Sequence, residues 1–204
     1  MGGCGTAQSG PVISPPPMAS SCAPADDEVD YARVSPQPRL LAEAIERAND
    51  GHVDVRRKAG ASAEVLRGDY VRIFTWGSML PGGHSLLARR DAAGGWTVEQ
   101  VNEGREGGRM SPEAPSIQHA TLTPDQAARL NALVGDRCLY DEPGYFGRSV
   151  PMRAGGEAMC ADGADSLIEV VVGGREHRTF QACHTFGRAG QAAGVLWEAL
   201  QPAS

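Results

Sequence analysis

The spacing of apolar residues along the chain predicts three helices and five strands. Apolar residues recur every three to four positions in an amphipathic helix and at alternate positions in a half-buried strand. Helical spacing occurs over 38–49, in the segment that begins at 123, and over 186–200. Alternation occurs over 69–76, 84–90, 96–102, 166–172 and 175–183. This order predicts an α+β fold, with an antiparallel sheet of about five strands and two to three helices packed on one face.

The helix that begins near Thr123 carries the clearest boundary signals in the chain. Thr123 can cap the helix, Pro124 suits its first turn, and Gln126 completes a capping box. Gly135 follows the apolar stripe and is typical of a carboxy-terminal stop. The pattern therefore predicts a helix that starts at 123 and ends at 135.

The last two strands are predicted to form a hairpin that turns at Gly173 and Gly174. Counting back from this turn places Glu169 opposite Arg178. An unpaired carboxylate inside an apolar strand is costly, so Glu169 needs a partner, and Arg178 supplies it as a structural ion pair. If Arg178 points away instead, Glu169 becomes an acid with a raised pKa.

Residues 1–37 differ in composition from the rest of the chain. They are rich in Pro, Ser and Gly and contain few large apolar residues, so they cannot offset the entropy of ordering. We predict a disordered tail over 1–37 and a single α+β domain over 38–204. The small residues before Cys4 resemble the end of a bacterial lipoprotein signal, which predicts lipid attachment at Cys4. Cys22 is a second, weaker candidate, and an unmodified tail cysteine is the alternative.

Composition and charge exclude several functional classes. The 204 residues carry a formal charge of −6 and are 41% hydrophobic, as in a soluble protein of one domain. The acidic balance disfavours a nucleic-acid partner, and no apolar run is long enough for a membrane helix. The glycine-containing segment 77–83 lacks both nucleotide-binding patterns. We expect no cofactor, and membrane contact only through a lipid anchor.

The cysteines of the folded part suggest disulfides. Cys138, Cys160 and Cys183 lie near turns, and no Cys-x-x-Cys pair occurs. A Cys138–Cys160 disulfide would close the Gly- and Pro-rich loop between them and is the first prediction. A Cys160–Cys183 disulfide and reduced thiols are the alternatives. Disulfides fit a periplasmic location.

The segment from about 122 to 200 resembles a group of small bacterial envelope proteins with no assigned activity. The matching residues are a helix with spaced leucines, an Asp-Gly pair, a glutamate, a glycine and a histidine: Leu122, Leu130, Asp162, Gly163, Glu169, Gly174 and His177. Ser166 and Glu176 depart from the pattern, because each stands where an aromatic residue is expected. The resemblance implies a fold and an envelope location, and it names no reaction.

Two groups of residues are candidates for chemistry. Asp162 and Gly163 form either the turn that leads into the hairpin, which we favour, or an acidic site together with Glu169. Cys183, His184 and His177 combine a nucleophile with two bases, as a thiol hydrolase requires, and with Cys160 they could ligate zinc. Neighbouring strand residues point to opposite faces, which argues against convergence of Cys183 and His184.

The function predicted from these patterns is binding without catalysis. Tyr145, Phe146, Met152 and Met159 in the loop between the cysteines form either an adaptable partner surface or a cover folded onto the core. We predict a tethered envelope protein that binds another envelope protein or surface through its sheet edge or this loop. A thiol- or metal-dependent hydrolase centred on Cys183, His184 and His177, and a small secreted inhibitor, are the alternatives.

Overall fold

A computed structural model of the chain describes residues 22–77, 83–104, 113–183 and 185–201. Its α-helices are α1 (Pro38–Lys58), α2 (Pro124–Gly135) and α3 (Gly187–Ala199). Its strands are β1 (Tyr70–Trp76), β2 (His84–Arg90), β3 (Trp96–Asn102), β4 (Ser116–Thr121), β5 (Tyr145–Phe146), β6 (Ser149–Pro151), β7 (Glu157–Met159), β8 (Asp165–Val172) and β9 (Arg175–Ala182). Short 3-10 helices cover Tyr31–Arg33 and Arg137–Asp141.

Seven of these strands form one sheet in the order β4-β3-β2-β1-β8-β9-β5. The predicted α+β class is confirmed, but the prediction of about five antiparallel strands is wrong, because β4 and β5 were missed and β5 runs parallel to β9. Most side chains of β4 are exposed, so its residues show no apolar alternation. The hairpin register is confirmed, with Glu169 opposite Arg178.

Helices cover both faces of this sheet, whereas the sequence predicted helices on one face. α2 and α3 pack on one side, over β1 residues such as Val71 and Ile73. α1 packs on the other side, over Phe74 and Trp76 of the same strand. Because β1 is buried at all seven positions, it carries two apolar faces, and each needs its own cover.

Helix α1 continues nine residues beyond the predicted end at 49 and stops only at Lys58. Gly51 had suggested a stop, but in the structure it is a point of close approach between helix and sheet. A Cβ atom at this position would overlap the ring of Phe74. The glycine therefore lets α1 lie close to β1. The turns of α1 beyond residue 49 contribute residues to the candidate functional site.

Residues 22–34 pack on the domain, so the prediction of a disordered tail over 1–37 is wrong for its described part. Cys22 forms a disulfide with Cys138, and Val29 is fully buried beside Phe146. Asp26 Oδ2 accepts a hydrogen bond of 2.5 Å from the backbone N–H of Gly187, at the start of α3. Covalent, apolar and polar contacts thus hold this segment in place.

The cysteine pairing differs from the first prediction. Cys138 pairs with Cys22, and Cys160 pairs with Cys183, which was the alternative pairing. The predicted Cys138–Cys160 disulfide is therefore absent. Two disulfides indicate an oxidising, extracytoplasmic environment. Within the part of the chain that the structure describes, no helix has the length and apolar character needed to cross a membrane.

In the Gly- and Pro-rich loop, the interpretation as a cover folded onto the core holds for Phe146 and Met152. Phe146 is 1% exposed and packs against Tyr31 and Phe186, and Met152 forms an isolated bridge with Val29. Met159 is 74% exposed. Most of the loop is thus a cover for the amino-terminal segment, and Met159 alone of the four residues stands out from the surface.

Candidate functional site

A row of charged side chains crosses the side of the sheet that faces α1. Arg178 on β9, Glu169 on β8 and Arg72 on β1 lie opposite one another in the strand register. The Glu169 side chain is 2% exposed, with Oε1 2.8 Å from Arg178 Nη2 and Oε2 2.7 Å from Arg72 Nη2. The predicted ion pair of Glu169 with Arg178 is confirmed, and Arg72 extends it. We call these three residues the charged row.

Helix α1 and the segment after it add a second layer to the charged row. Asn49 Oδ1 accepts a hydrogen bond of 2.7 Å from Arg72 Nη2, and Glu64 Oε2 accepts one of 3.3 Å from Arg72 Nη1. Arg56 Nη1 donates to Glu99 Oε1 on β3 at 2.6 Å. Each buried guanidinium therefore faces a carboxylate, as burial of charge requires.

His52 lies among these charges and is 3% exposed. Its Nδ1 is 2.7 Å from Ser85 Oγ on β2, within hydrogen-bond distance. Burial, together with the positive charges of Arg72 and Arg56, holds the pKa of His52 well below its usual value. The ring is therefore neutral at pH 7, and the layer between α1 and the sheet contains no uncompensated histidine charge.

A cavity of about 560 Å³ opens beside this layer. Its walls combine charged residues with small and apolar ones: Asn49, His52, Val53, Arg56, Arg57, Ala61, Ala63, Glu64, Leu66 and Arg72. Val53 is 68% exposed, Val65 is 53% exposed and Leu66 is 37% exposed. Two of these exposed apolar side chains, Val53 and Leu66, thus form the mouth of a cavity whose buried floor is charged.

The sequence pattern missed this cavity, although two signals pointed to it. Arg72 interrupts an otherwise apolar strand, and a buried arginine needs partners. His52 and Arg56 are four residues apart, which places them on one face of a helix. Because the helix predicted from the sequence ends at 49, it includes neither residue and so does not contain their common face.

One edge of the sheet, at β4, is a second surface of interest. β4 pairs with β3, and no other described strand pairs with it. β4 contains no Asp, Glu, Lys or Arg, and Ile117 in this strand is 40% exposed. Beside it, on the α1-facing side, lies a groove of about 380 Å³ whose lining includes Arg89, Thr97, Glu99, His119 and Thr121.

The residues of the predicted thiol or zinc site do not converge. Cys183 is bonded to Cys160, so neither supplies a thiolate in this state. His177 lies six residues before Cys183 on β9, roughly 20 Å away at the rise of a strand. His184 and Cys4 lie outside the described residues. Among the residues that are described, no group of three or more His, Cys, Asp or Glu is placed to hold a metal ion.

Asp162 and Gly163 lie in the bend and short connection before β8, as the turn interpretation predicts. Asp162 is exposed there, whereas Glu169 is buried inside β8, so the two do not form one acidic site. Gly163 lies against the disulfide, and a Cβ atom at this position would overlap Cys183. The connection therefore passes close to the Cys160–Cys183 bond because Gly163 has no side chain.

The burial of His177 is expected to make the stability of the protein depend on pH. Its ring is 7% exposed on the α2 and α3 side, Nε2 has no hydrogen-bond partner, and burial lowers its pKa to about 4. Between pH 6.5 and 4 the unfolded chain therefore binds a proton that the folded chain does not, so acid favours unfolding. We expect this single histidine to cost about 3 kcal/mol of stability as the pH falls through that range.

The variant His177→Leu removes this contribution. Urea unfolding at pH 7 and pH 4.5 is expected to show a smaller loss of stability on acidification in the variant than in the parent protein. His52, whose pKa is also lowered, stays in place and accounts for part of what remains. His119→Leu, at a side chain that is 68% exposed, is the control. An identical loss in H177L and the parent protein would contradict this account.

Comparison with known proteins does not identify this chain. No protein-family model matches it, and no curated protein matches it significantly. The geometry of the described residues therefore carries the functional argument.

Proposed function

We propose that the protein is a non-enzymatic binding protein of the bacterial envelope, which pairs an extended segment of a partner protein with the free edge of its sheet at β4. The observation that carries this proposal is the uncharged, exposed edge strand. A strand without a neighbour presents unpaired backbone N–H and C=O groups, and natural proteins usually protect such edges with charged side chains, prolines or bulges. Ser116–Thr121 has no charged side chain and no proline.

The groove beside β4 supports the same proposal. In strand addition, backbone hydrogen bonds supply affinity, and pockets for alternate side chains supply specificity. Every second residue of an added strand would face the groove on the α1-facing side. Arg89 and Glu99 in its lining carry opposite charges, so the groove can distinguish polar side chains of the partner.

The envelope location is part of the proposal. The two disulfides support an oxidising compartment, and the small residues around Cys4 support a lipid tether at that cysteine. The resemblance of the segment from 122 to 200 to small envelope proteins agrees with this location. The disulfide at Cys183 and its distance from His177 leave the hydrolase alternative without a supporting observation.

Site-specific photo-crosslinking in cells tests the binding edge. A photoreactive amino acid at Gln118 on β4 is expected to give a discrete adduct, and mass spectrometry is expected to place the attachment in an extended segment of the partner. The same group at Met159, which is 74% exposed elsewhere, serves as the matched control. In the crosslinked strain, Ile117→Lys should abolish the adduct because a lysine on the edge opposes strand addition.

Three outcomes would contradict the proposal. Equal adducts from Gln118 and Met159 would show non-specific collision, and no adduct from Gln118 would show that the edge is not used. An adduct with twice the mass of the chain would identify a second copy as the partner and would also overturn binding of a different protein.

The intact mass of the purified protein shows, in the same preparation, whether acyl groups are attached to Cys4.

A further inference from the structure

We infer that the cavity beside α1 binds a single-chain anionic amphiphile, a carboxylate attached to an alkyl chain. This inference concerns a small-molecule site and is independent of the β4 edge. The volume of about 560 Å³ lies within the range of roughly 300 to 1,000 Å³ that is usual for ligand sites. Three features of the cavity support such a ligand: its apolar mouth, its internally paired floor and the exposed cation in its lining.

The mouth of the cavity supplies a surface for an alkyl chain. Val53 and Leu66 line it. Only five large apolar side chains are exposed in the described part of the molecule, and these are two of them. Ala61 and Ala63 add apolar surface to the lining. An alkyl chain would remove this surface from water.

The floor of the cavity does not favour a buried head group. Arg72 is held by Glu169, Asn49 and Glu64, and Arg56 is held by Glu99 and by the Ser62 carbonyl. Because these guanidinium groups already have partners, an added carboxylate there would compete with existing ion pairs. The head group is therefore expected at the mouth.

Arg57 is the cation at the mouth. Its side chain is 70% exposed, and it pairs at 2.5 Å with Asp54, which is 43% exposed. Asp54 also pairs with Lys58 at 2.7 Å, so one carboxylate is shared between two cations. An exposed pair of this kind contributes little energy, and its guanidinium can take a second carboxylate.

The accessible charge of the lining is that of one arginine. The charged residues of the lining are Arg56, Arg57, Arg72 and Glu64. Arg56 and Arg72 are neutralised by Glu99 and Glu169, so their charges are not available to a ligand. The Arg57 guanidinium, which is 70% exposed, is the lining charge that an anionic head group can reach, and the apolar mouth favours an alkyl chain behind it.

Three probes with the same alkyl chain test the inference: octanoate, octanol and octyltrimethylammonium. Each is titrated below its micelle concentration into the disulfide-intact protein while NMR signals of Val53, Ala61, Ala63 and Leu66 are followed. Octanoate is expected to shift these signals saturably and to bind about ten-fold more tightly than octyltrimethylammonium, which equals about 1.4 kcal/mol, with octanol between them.

Variants separate the two parts of the ligand. Arg57→Gln is expected to reduce octanoate affinity to that of octanol and to leave octanol binding unchanged. Leu66→Ser is expected to weaken both. Arg39→Gln, at an 83% exposed arginine near the start of α1, and Met159→Ser are the matched controls and should change neither affinity. Amide spectra of each variant confirm that the fold is retained.

Several results would overturn the inference. Equal affinity for the three probes would show that the cavity does not select an anionic amphiphile. Shifts that do not centre on the cavity would show that the probes bind elsewhere. Octanoate binding that R57Q leaves unchanged would place the head group elsewhere. Binding to phosphatidylglycerol vesicles without binding of monomeric octanoate would mean that this surface meets a membrane, and the small-molecule site would be wrong.

Discussion

Replacing Glu169 with alanine is expected to lower the free energy of unfolding by about 3–5 kcal/mol, because removing one member of a buried ion pair leaves the other charge uncompensated. Glu169 is 2% exposed and lies between Arg72 and Arg178. Arg72 is only 9% exposed and without Glu169 keeps just the longer ion pair with Glu64, at 3.3 Å, whereas Arg178 is 39% exposed and can be solvated. Most of the loss should therefore come from Arg72. Urea unfolding at pH 7 measures it.

A second variant separates charge from packing. The double replacement Arg72→Met with Glu169→Met removes both charges and keeps similar volume, and it is expected to regain most of the stability that E169A loses. Glu176→Ala is the matched control, because Glu176 is 48% exposed and also pairs with Arg178. Its effect should stay below about 1 kcal/mol. Equal losses for E169A and E176A would contradict the assignment of the charged row.

Removing the Cys22–Cys138 disulfide is expected to have an effect of similar size. The bond joins residues 116 apart in sequence, so the chain-entropy account gives a loss of about 4–5 kcal/mol for the variant Cys22→Ser with Cys138→Ser. The same account gives about 3 kcal/mol for Cys160→Ser with Cys183→Ser, where the separation is 23. Thermal and urea unfolding of both variants under oxidising conditions compare them.

Hydrogen exchange shows where the first disulfide acts. Without it, residues 22–34 depend on the buried Val29 and on the hydrogen bond between Asp26 and Gly187. We expect faster amide exchange in this segment and at the start of α3, with little change in β1 and β8. Unchanged exchange in the segment, or a larger loss of stability on removing Cys160–Cys183, would contradict this ranking.

Features with local causes were predictable from the sequence. Helix α2 has the capping box that Thr123 and Gln126 indicated. The β8–β9 hairpin has the register that Gly173 and Gly174 implied, and with it the ion pair of Glu169. In each case the residues that determine the structure lie within about ten positions of one another.

Features with distant causes were not predictable in this way. Gly51 is typical of a helix end, but its role in α1 depends on Phe74, which lies on another element. Cys22 sits in a segment of tail-like composition, and only the folded position of Cys138 shows that it is ordered. The cavity combines α1 with Arg72 of β1, and no local pattern contains both. These features require the tertiary arrangement.

The position of β1 in the sheet has a consequence for the growing chain. Its partner β8 pairs Tyr70 with Val171, 101 residues later, so the meander of β1 to β4 is synthesised well before the strand that covers its inner edge. Before β8 has been synthesised, β1 has no neighbour on this side. A strand that is fully buried in the folded protein is then an exposed, apolar edge, and such an edge is a template for aggregation. Pairing of β1 with β8 therefore has to wait until residue 172 has been synthesised, and the nascent chain depends on protection of Tyr70–Trp76 during that interval.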